Sequence, residues 1–153
     1  MNSDTIQKFE TICKTVPDLL HNISETEYSF KSTPEKWSKK EILGHLIDSA
    51  TNNHHRFIRA QFEDTPKISY DQNKWNKFSY YQQIKTGQLI GFWTSYNLQL
   101  LDLIKLIHTS TLSRLCNTGG ENNVTIEWLF NDYVSHLEYH LKQILEYDRE
   151  KIV

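Results

Sequence analysis

Tyr133-Val134-Ser135-His136-Leu137-Glu138-Tyr139-His140 carries two histidines four residues apart. In a helix that spacing is a little over one turn, so both imidazoles leave the same face and can reach one point in space. Ile126, Leu129, Tyr133, His136, His140, Ile144 and Tyr147 recur at steps of three and four around it, the spacing of a core-facing stripe. The pattern predicts an amphipathic last helix whose histidines point inward among apolar neighbours. Two imidazoles placed there need partners for their ring nitrogens, and a shared cation satisfies both while they stay neutral. A helix holds a metal ion in this way.

With 153 residues the chain fits one domain, 1–153, burying about 68–70% of its unfolded surface without disulfide staples. A net charge of -2, with both signs dispersed, offers no basic footprint for nucleic acid. Cys13 and Cys116 lie far apart and show no C-x-x-C spacing, which reads as reduced, packed thiols of a cytoplasmic protein. The N-terminus lacks a cationic start followed by an apolar run, so no secretion signal is expected. Thr86 to Leu101, the longest uncharged stretch, is too short and too polar to span a bilayer. Five glycines and three prolines provide few turns for many short strands, which favours an all-α fold.

Taken in order, Ile6, Phe9, Ile12 and Val16 predict an opening helix that Pro17 should break. Ser24-Glu25-Thr26-Glu27 has capping-box form, and Thr33-Pro34-Glu35 puts proline just inside a further helix start. Ser38-Lys39-Lys40-Glu41 is a second capping box with Trp37 placed to pack on the first turn, so the second long helix starts at Lys39 and should run to about Phe62. Leu43, Leu46, Ile47, Ala50 and Phe57 form its apolar face; Ile42, His45, Ser49, Asn52 and Arg56 follow the same spacing with mostly polar groups. Such a row can face solvent, but solvated faces are more usually Lys and Glu, whereas His, Ser, Asn and Arg coordinate, donate and bind anions. Asp64 to Trp75 has no period and reads as a long crossover between the second and third long helices. The third should run from about Ser79 to Ile107, with Ile84, Phe92, Tyr96, Leu100, Leu103, Ile104 and Ile107 on a broad face. Gly87 and Gly91 would allow either a close helix approach or a bend. Thr118 to Asn123 is a loop, after which Thr125 caps the last helix.

Four long amphipathic helices make a four-helix bundle, where sites are built from side chains on facing helices. His45 is the histidine on the polar row of the second helix, which makes it the third ligand beside His136 and His140. Three neutral imidazoles with open positions suit Zn²⁺ first, with Ni²⁺, Fe²⁺ or Mn²⁺ also served by imidazole. His21, His54, His55 and His108 share no such alignment and read as surface or packing residues.

The segment Trp37-Ser38-Lys39-Lys40-Glu41-Ile42-Leu43-Gly44-His45-Leu46-Ile47-Asp48-Ser49, with Asn52 and Arg56 following, resembles the W-[ST]-x-x-[EQ]-x-x-x-H-L-x-D-S pattern of the DinB-like metalloprotein family. Pro66 to Asp71 through Trp75, Tyr80-Tyr81 and the pair His136 and His140 resemble further pieces of its YfiT-type branch of candidate hydrolases and bacillithiol transferases, in the right order over most of the chain. The resemblance implies a four-helix bundle with a metal held by His45, His136 and His140. It departs at Tyr139 and Gln143, where the branch usually carries extra histidines, and at Asn117 to Glu121, where it often has a His-Pro-Glu segment.

A tri-histidine metal with an open face can lower the pKa of a thiol or water for attack on a small electrophile. The resemblance favours transfer of a low-molecular-weight thiol; hydrolysis of an amide or ester, and metal or ligand binding without turnover, are the alternatives. Arg56 is the candidate for an anionic substrate group and Asp48 for a base or a support for an imidazole, unless Asp48 is an exposed ion pair. Ser49 and Asn52 are candidate substrate contacts or structural hydrogen-bonding groups. A two-fold homodimer is the expected assembly, with Tyr80, Tyr81, Trp93 and Tyr96 either at its interface or in the core.

Overall fold

A computed structural model of the protein describes residues 3–145. Its helices are α1 (Ser3–His21), α2 (Glu25–Ser29), α3 (Lys39–Arg59), α4 (Gln72–Phe78), α5 (Thr86–Leu106) and α6 (Ile126–Leu145). The four long ones form the bundle: α1 and α3 each pack on both α5 and α6, which sets α1 and α3 on one diagonal. Phe9 of α1, Phe57 of α3, and Phe130 and Tyr133 of α6 meet edge to face with centroids 5.7 to 6.5 Å apart. Trp93 of α5 is wholly buried beside them in the same core. No described helix is long and apolar enough to cross a membrane.

The start of α3 is fixed by the Ser38 box: the hydroxyl accepts from Glu41 N at 3.1 Å, and Glu41 Oε2 accepts from Ser38 N at 2.8 Å. The helix ends at Arg59, short of Phe62, because the chain tightens into turns there, with Gln61 N on Ile58 O and Phe62 N on Arg59 O. The Ser24 box forms as expected and starts α2.

Elsewhere packing overrides local signals. α1 runs through Pro17 unbroken; Val16 and Leu20 on either side are fully buried, and the burial of that stripe outweighs the one lost backbone bond. Pro34 starts no helix and sits in a turn closed by Lys36 N on Thr33 O. The connection after α3 is not wholly irregular: Asp71 Oδ1 accepts from Asn73 N and Lys74 N, both at 3.0 Å, and caps the short α4. Tyr80 then takes a left-handed backbone (φ 54°), so residues 79–85, expected in the third long helix, form a turn, and α5 begins only at Thr86.

The core face of α5 is Leu89, Ile90, Trp93, Asn97, Leu100, Leu101 and Ile104, while Phe92 is 53% exposed and stacks on Tyr96 outside. Tyr81 and Trp93, two of the four aromatics considered for a dimer interface, are therefore interior. Gly87 and Gly91 are exposed with open space around them, so no neighbouring helix of the chain approaches there. An antiparallel hairpin, β1 (Leu115–Cys116) with β2 (Val124–Thr125), precedes α6 and was not expected of an all-α chain. It anchors the 66–68 segment through Ile68 N on Asn117 O and Asn117 N on Pro66 O. Thr125 caps α6, its hydroxyl accepting from Trp128 N at 3.1 Å.

Gly44 positions the turn after α4. A Cβ there would lie 2.1 to 2.5 Å from carbons of the Tyr81 ring, so the ring rests directly on the α3 backbone. Alanine is ordinarily worth about 1 kcal/mol over glycine inside a helix. Here the overpacking term, typically about 1–3 kcal/mol, opposes it. Gly44→Ala is expected to lower the urea midpoint, whereas Gly87→Ala at an exposed position of α5 raises it; denaturation of both variants checks the pair.

Candidate metal centre

His45 is buried on α3, and His136 and His140 are half-buried on successive turns of α6. The last two thus lie at the edge of the α6 stripe rather than deep in it; Tyr147, placed on the same stripe, lies outside the described residues. One ring nitrogen from each of the three histidines lies within 4.8 Å of the others, and His45 Nε2 and His136 Nε2 are 3.1 Å apart. Ring centroids are 4.5 to 5.0 Å apart around the trio.

The donor set fits a divalent cation. With metal–nitrogen bonds of about 2.0–2.1 Å, neighbouring ligand nitrogens are about 2.9–3.4 Å apart between octahedral and tetrahedral geometry, a range that contains the observed pair. Burial supplies the protonation state: it lowers the pKa of His45 to about 3, helped by the neighbouring His136 and His140, and that of His136 to about 4, helped by His140. His140 is lowered too, chiefly by burial. All three are neutral at pH 7 and present lone pairs.

Two aromatic rings flank the trio. Trp37 lies against His45, on the second turn of α3, at 5.0 Å, and Tyr139, 60% exposed, lies against His140 at 5.0 Å. A cleft of about 600 Å³ opens beside His140, lined by Trp37, Ile42, Gln72, Asn73, Tyr139 and Gln143 among others. His140 is itself in its wall, so the metal group has an open side.

The remaining polar residues of α3 are buried and turned to internal partners. Asp48 is no surface ion pair: it is 3% exposed, and its Oδ1 accepts from the Tyr81 hydroxyl at 2.5 Å while Oδ2 has no partner among the described residues. Burial raises its pKa to about 6 against the opposing pull of that hydroxyl. It makes no hydrogen bond to the three histidines: Nδ1 of His45 and Nδ1 of His136 find no partner among the described residues, and Nδ1 of His140 meets Gln143. Arg56 sends Nε and Nη2 to the Ile68 carbonyl at 3.1 and 3.0 Å and Nη1 to Asn53 Oδ1, so its fork clamps the 66–68 segment where an anion was expected. Asn52 donates to the Asp48 carbonyl, and the Ser49 hydroxyl accepts weakly from Asn53. The structure therefore brings together the three histidines, and places Asp48, Ser49, Asn52 and Arg56 in the polar interior behind them. Tyr81 and Gln143 were not singled out as site residues. Gln143 carried a signal, standing three residues after His140 on the same helix, whereas nothing local marks Tyr81 as the partner of Asp48.

A four-helix bundle with three converging neutral imidazoles at an open cleft defines a tri-histidine metalloprotein scaffold. The chain belongs to the DinB superfamily, whose family model matches residues 9–144. It is 22% identical over 156 residues to YfiT of Bacillus subtilis (strain 168), covering 94% of this chain and 82% of that one. It is also 24% identical over 135 residues to BH0277 of Halalkalibacterium halodurans, covering 85% and 78%. Both are named as candidate metal-dependent hydrolases. The solved structure of YfiT from Bacillus subtilis, described as a probable metal-dependent hydrolase with an unusual four-helix bundle topology, superposes with a TM-score of 0.82 at 19% identity over 95% of this chain and 87% of that one. A mycothiol-dependent maleylpyruvate isomerase superposes with a TM-score of 0.76 at 11% identity over 92% of this chain and 59% of that one. At these identities the structural likenesses show the fold.

Neutral buried imidazoles make the metal-free protein acid-sensitive. Below the ordinary histidine value of 6.5 the unfolded chain takes up protons that folded His45 and His136 refuse until about pH 3 and 4, so stability falls as pH drops through that window. Asp48, raised from 3.8 to about 6, has the opposite slope between those values. Urea midpoints of metal-free protein should therefore decrease from pH 7 to pH 4.5, less steeply in His45→Gln and more steeply in Asp48→Asn.

Proposed function

We propose that the protein is a metal-dependent enzyme that activates a thiol, or water, for attack on a small electrophilic substrate, with transfer of a low-molecular-weight thiol as the leading reaction. The observation that carries this reading is the convergence of His45, His136 and His140, the last of them in the wall of an open cleft. A divalent cation, Zn²⁺ first and Ni²⁺ or another first-row ion otherwise, supplies the Lewis acidity that brings a thiol or water pKa toward neutrality.

The chain's own residues do the rest. The imidazoles stay neutral through burial and bind without competing protons at pH 7. Trp37, Tyr139 and Ile42 give the cleft apolar walls, and Gln72, Asn73 and Gln143 give it amide donors and acceptors, a lining for a polar small molecule with an apolar part. Asp48 stands one turn along α3 from His45 with Oδ2 unpartnered among the described residues, which supports its role as acceptor of the proton the nucleophile loses. In thiol transfer a sulfur–carbon bond then forms and the leaving group departs with the electron pair of the bond that breaks. Arg56 supports the site from behind by holding α3 to the Ile68 carbonyl, while Asn52 and Ser49 hydrogen-bond within α3. The site belongs to a cytoplasmic protein, where free thiols are abundant.

The fold shared with a mycothiol-dependent isomerase supports thiol chemistry. The names of YfiT and BH0277 support the second reading, hydrolysis of a small amide or ester at the same site. Metal analysis of protein purified without a histidine tag should find close to one divalent ion per chain, with about 10-fold or greater loss in His136→Ala. Candidate electrophiles assayed with and without added thiol separate the readings: product that requires thiol supports transfer, and product formed in its absence supports hydrolysis. A parent free of metal after exposure to Zn²⁺ and Ni²⁺ defeats both.

A further inference from the structure

We propose that Gln143 is the positioning residue of the metal group, fixing the tautomer and ring plane of His140 from the cleft side. This rests on the metal reading above. His140 Nδ1 and Gln143 Oε1 are 2.8 Å apart, three residues from each other on α6, where side chains at that spacing lie side by side. An amide oxygen only accepts, so Nδ1 must carry the proton and Nε2 is left with its lone pair.

The bond sets His140 apart from the other two histidines. Nδ1 of His45 and Nδ1 of His136 are buried and find no partner among the described residues, so those rings are held by packing: His45 lies against Trp37, His136 and His140. His140 touches the rings of His45, His136 and the exposed Tyr139, but it alone of the three histidines lines the cleft. An imidazole at the edge of a cleft can turn about its side-chain torsions and present either nitrogen. A hydrogen bond on the far nitrogen removes that freedom, which is how outer partners raise ligand basicity and metal affinity. Gln143 also lines the cleft, so the same amide that holds the ligand ring meets what enters beside it.

The test compares tag-free parent, Gln143→Met and Gln143→Glu. Each metal-free form is titrated with Zn²⁺ against a competing chromophoric chelator, and the histidine tautomers are read from imidazole ¹⁵N shifts. Gln143→Met keeps the bulk but cannot accept the bond; it should bind Zn²⁺ about 10–100-fold more weakly. The Nδ1–H form of His140 should become less populated, with the metal-free melting temperature close to the parent's. Gln143→Glu restores an acceptor and should bind at least as tightly as the parent. Parent-like affinity and tautomer in Gln143→Met overturn the proposal, as does a Gln143→Glu protein as weak as Gln143→Met. A parent that takes up no Zn²⁺ while His140 keeps its Nδ1–H form overturns the metal reading itself, and with it any role for Gln143 in holding a metal.

Discussion

The structure depends on a constraint carried by α3: the helix is buried on nearly all sides yet bears polar groups along its length, and each needs a partner away from water. The partners come from the irregular segments. Lys40, 3% exposed, reaches Glu25 Oε1 at 2.7 Å, and the other Glu25 oxygen accepts from Thr86, joining α2 and α5 to the first turn of α3. Asn76 donates to the Glu41 carbonyl, Tyr81 to Asp48, and Arg56 takes the Ile68 carbonyl. Connections that would otherwise wander are thereby fastened to one rod. Asp48 Oδ2 and the ring nitrogens of His45 and His136 stand apart: Oδ2 finds no partner among the described residues, and the two rings meet each other across 3.1 Å. Most polar groups of α3 are turned to the protein, whereas the histidine group reaches the cleft through His140.

Much of this was legible in the residues. The Ser38 box and the two faces of α3 follow from spacing and local chemistry, and so does the alignment of His136 with His140. Those features are short-range, and a helix expresses them wherever it is packed. What could not be read depended on contacts between segments distant in the chain. Pro17 is a breaker in an isolated helix, and only the buried Val16 and Leu20 stripe makes it tolerable. Tyr80 and Tyr81 have no local reason to leave a helix; the left-handed turn exists because the Tyr81 ring rests on Gly44 and its hydroxyl on Asp48. The two-residue strands of the hairpin are too short for any periodicity.

The same distinction applies to the site. Position along a helix identified His45, Ser49, Asn52 and Arg56 as one row, and all four are buried on it. Residue type suggested that Arg56 would bind an anion, but a guanidinium donates equally well to a carbonyl, and the nearest acceptor is the backbone of Ile68. Side-chain chemistry constrains what a group can bind; the fold decides which partner it meets.

The Tyr133 hydroxyl donates to Asn97 Oδ1 at 2.5 Å in the core, and Asn97 donates in turn to the Trp93 carbonyl at 2.8 Å. Apolar helix faces are tolerant of axial sliding, because one methyl group replaces another at small cost. A buried amide facing a phenol is not, since a slip of one turn, about 5.4 Å, strands both. The pair works as a dowel between α5 and α6. It stands one turn before His136, so the height at which the imidazoles of α6 meet His45 is set by a neutral polar joint that never touches them.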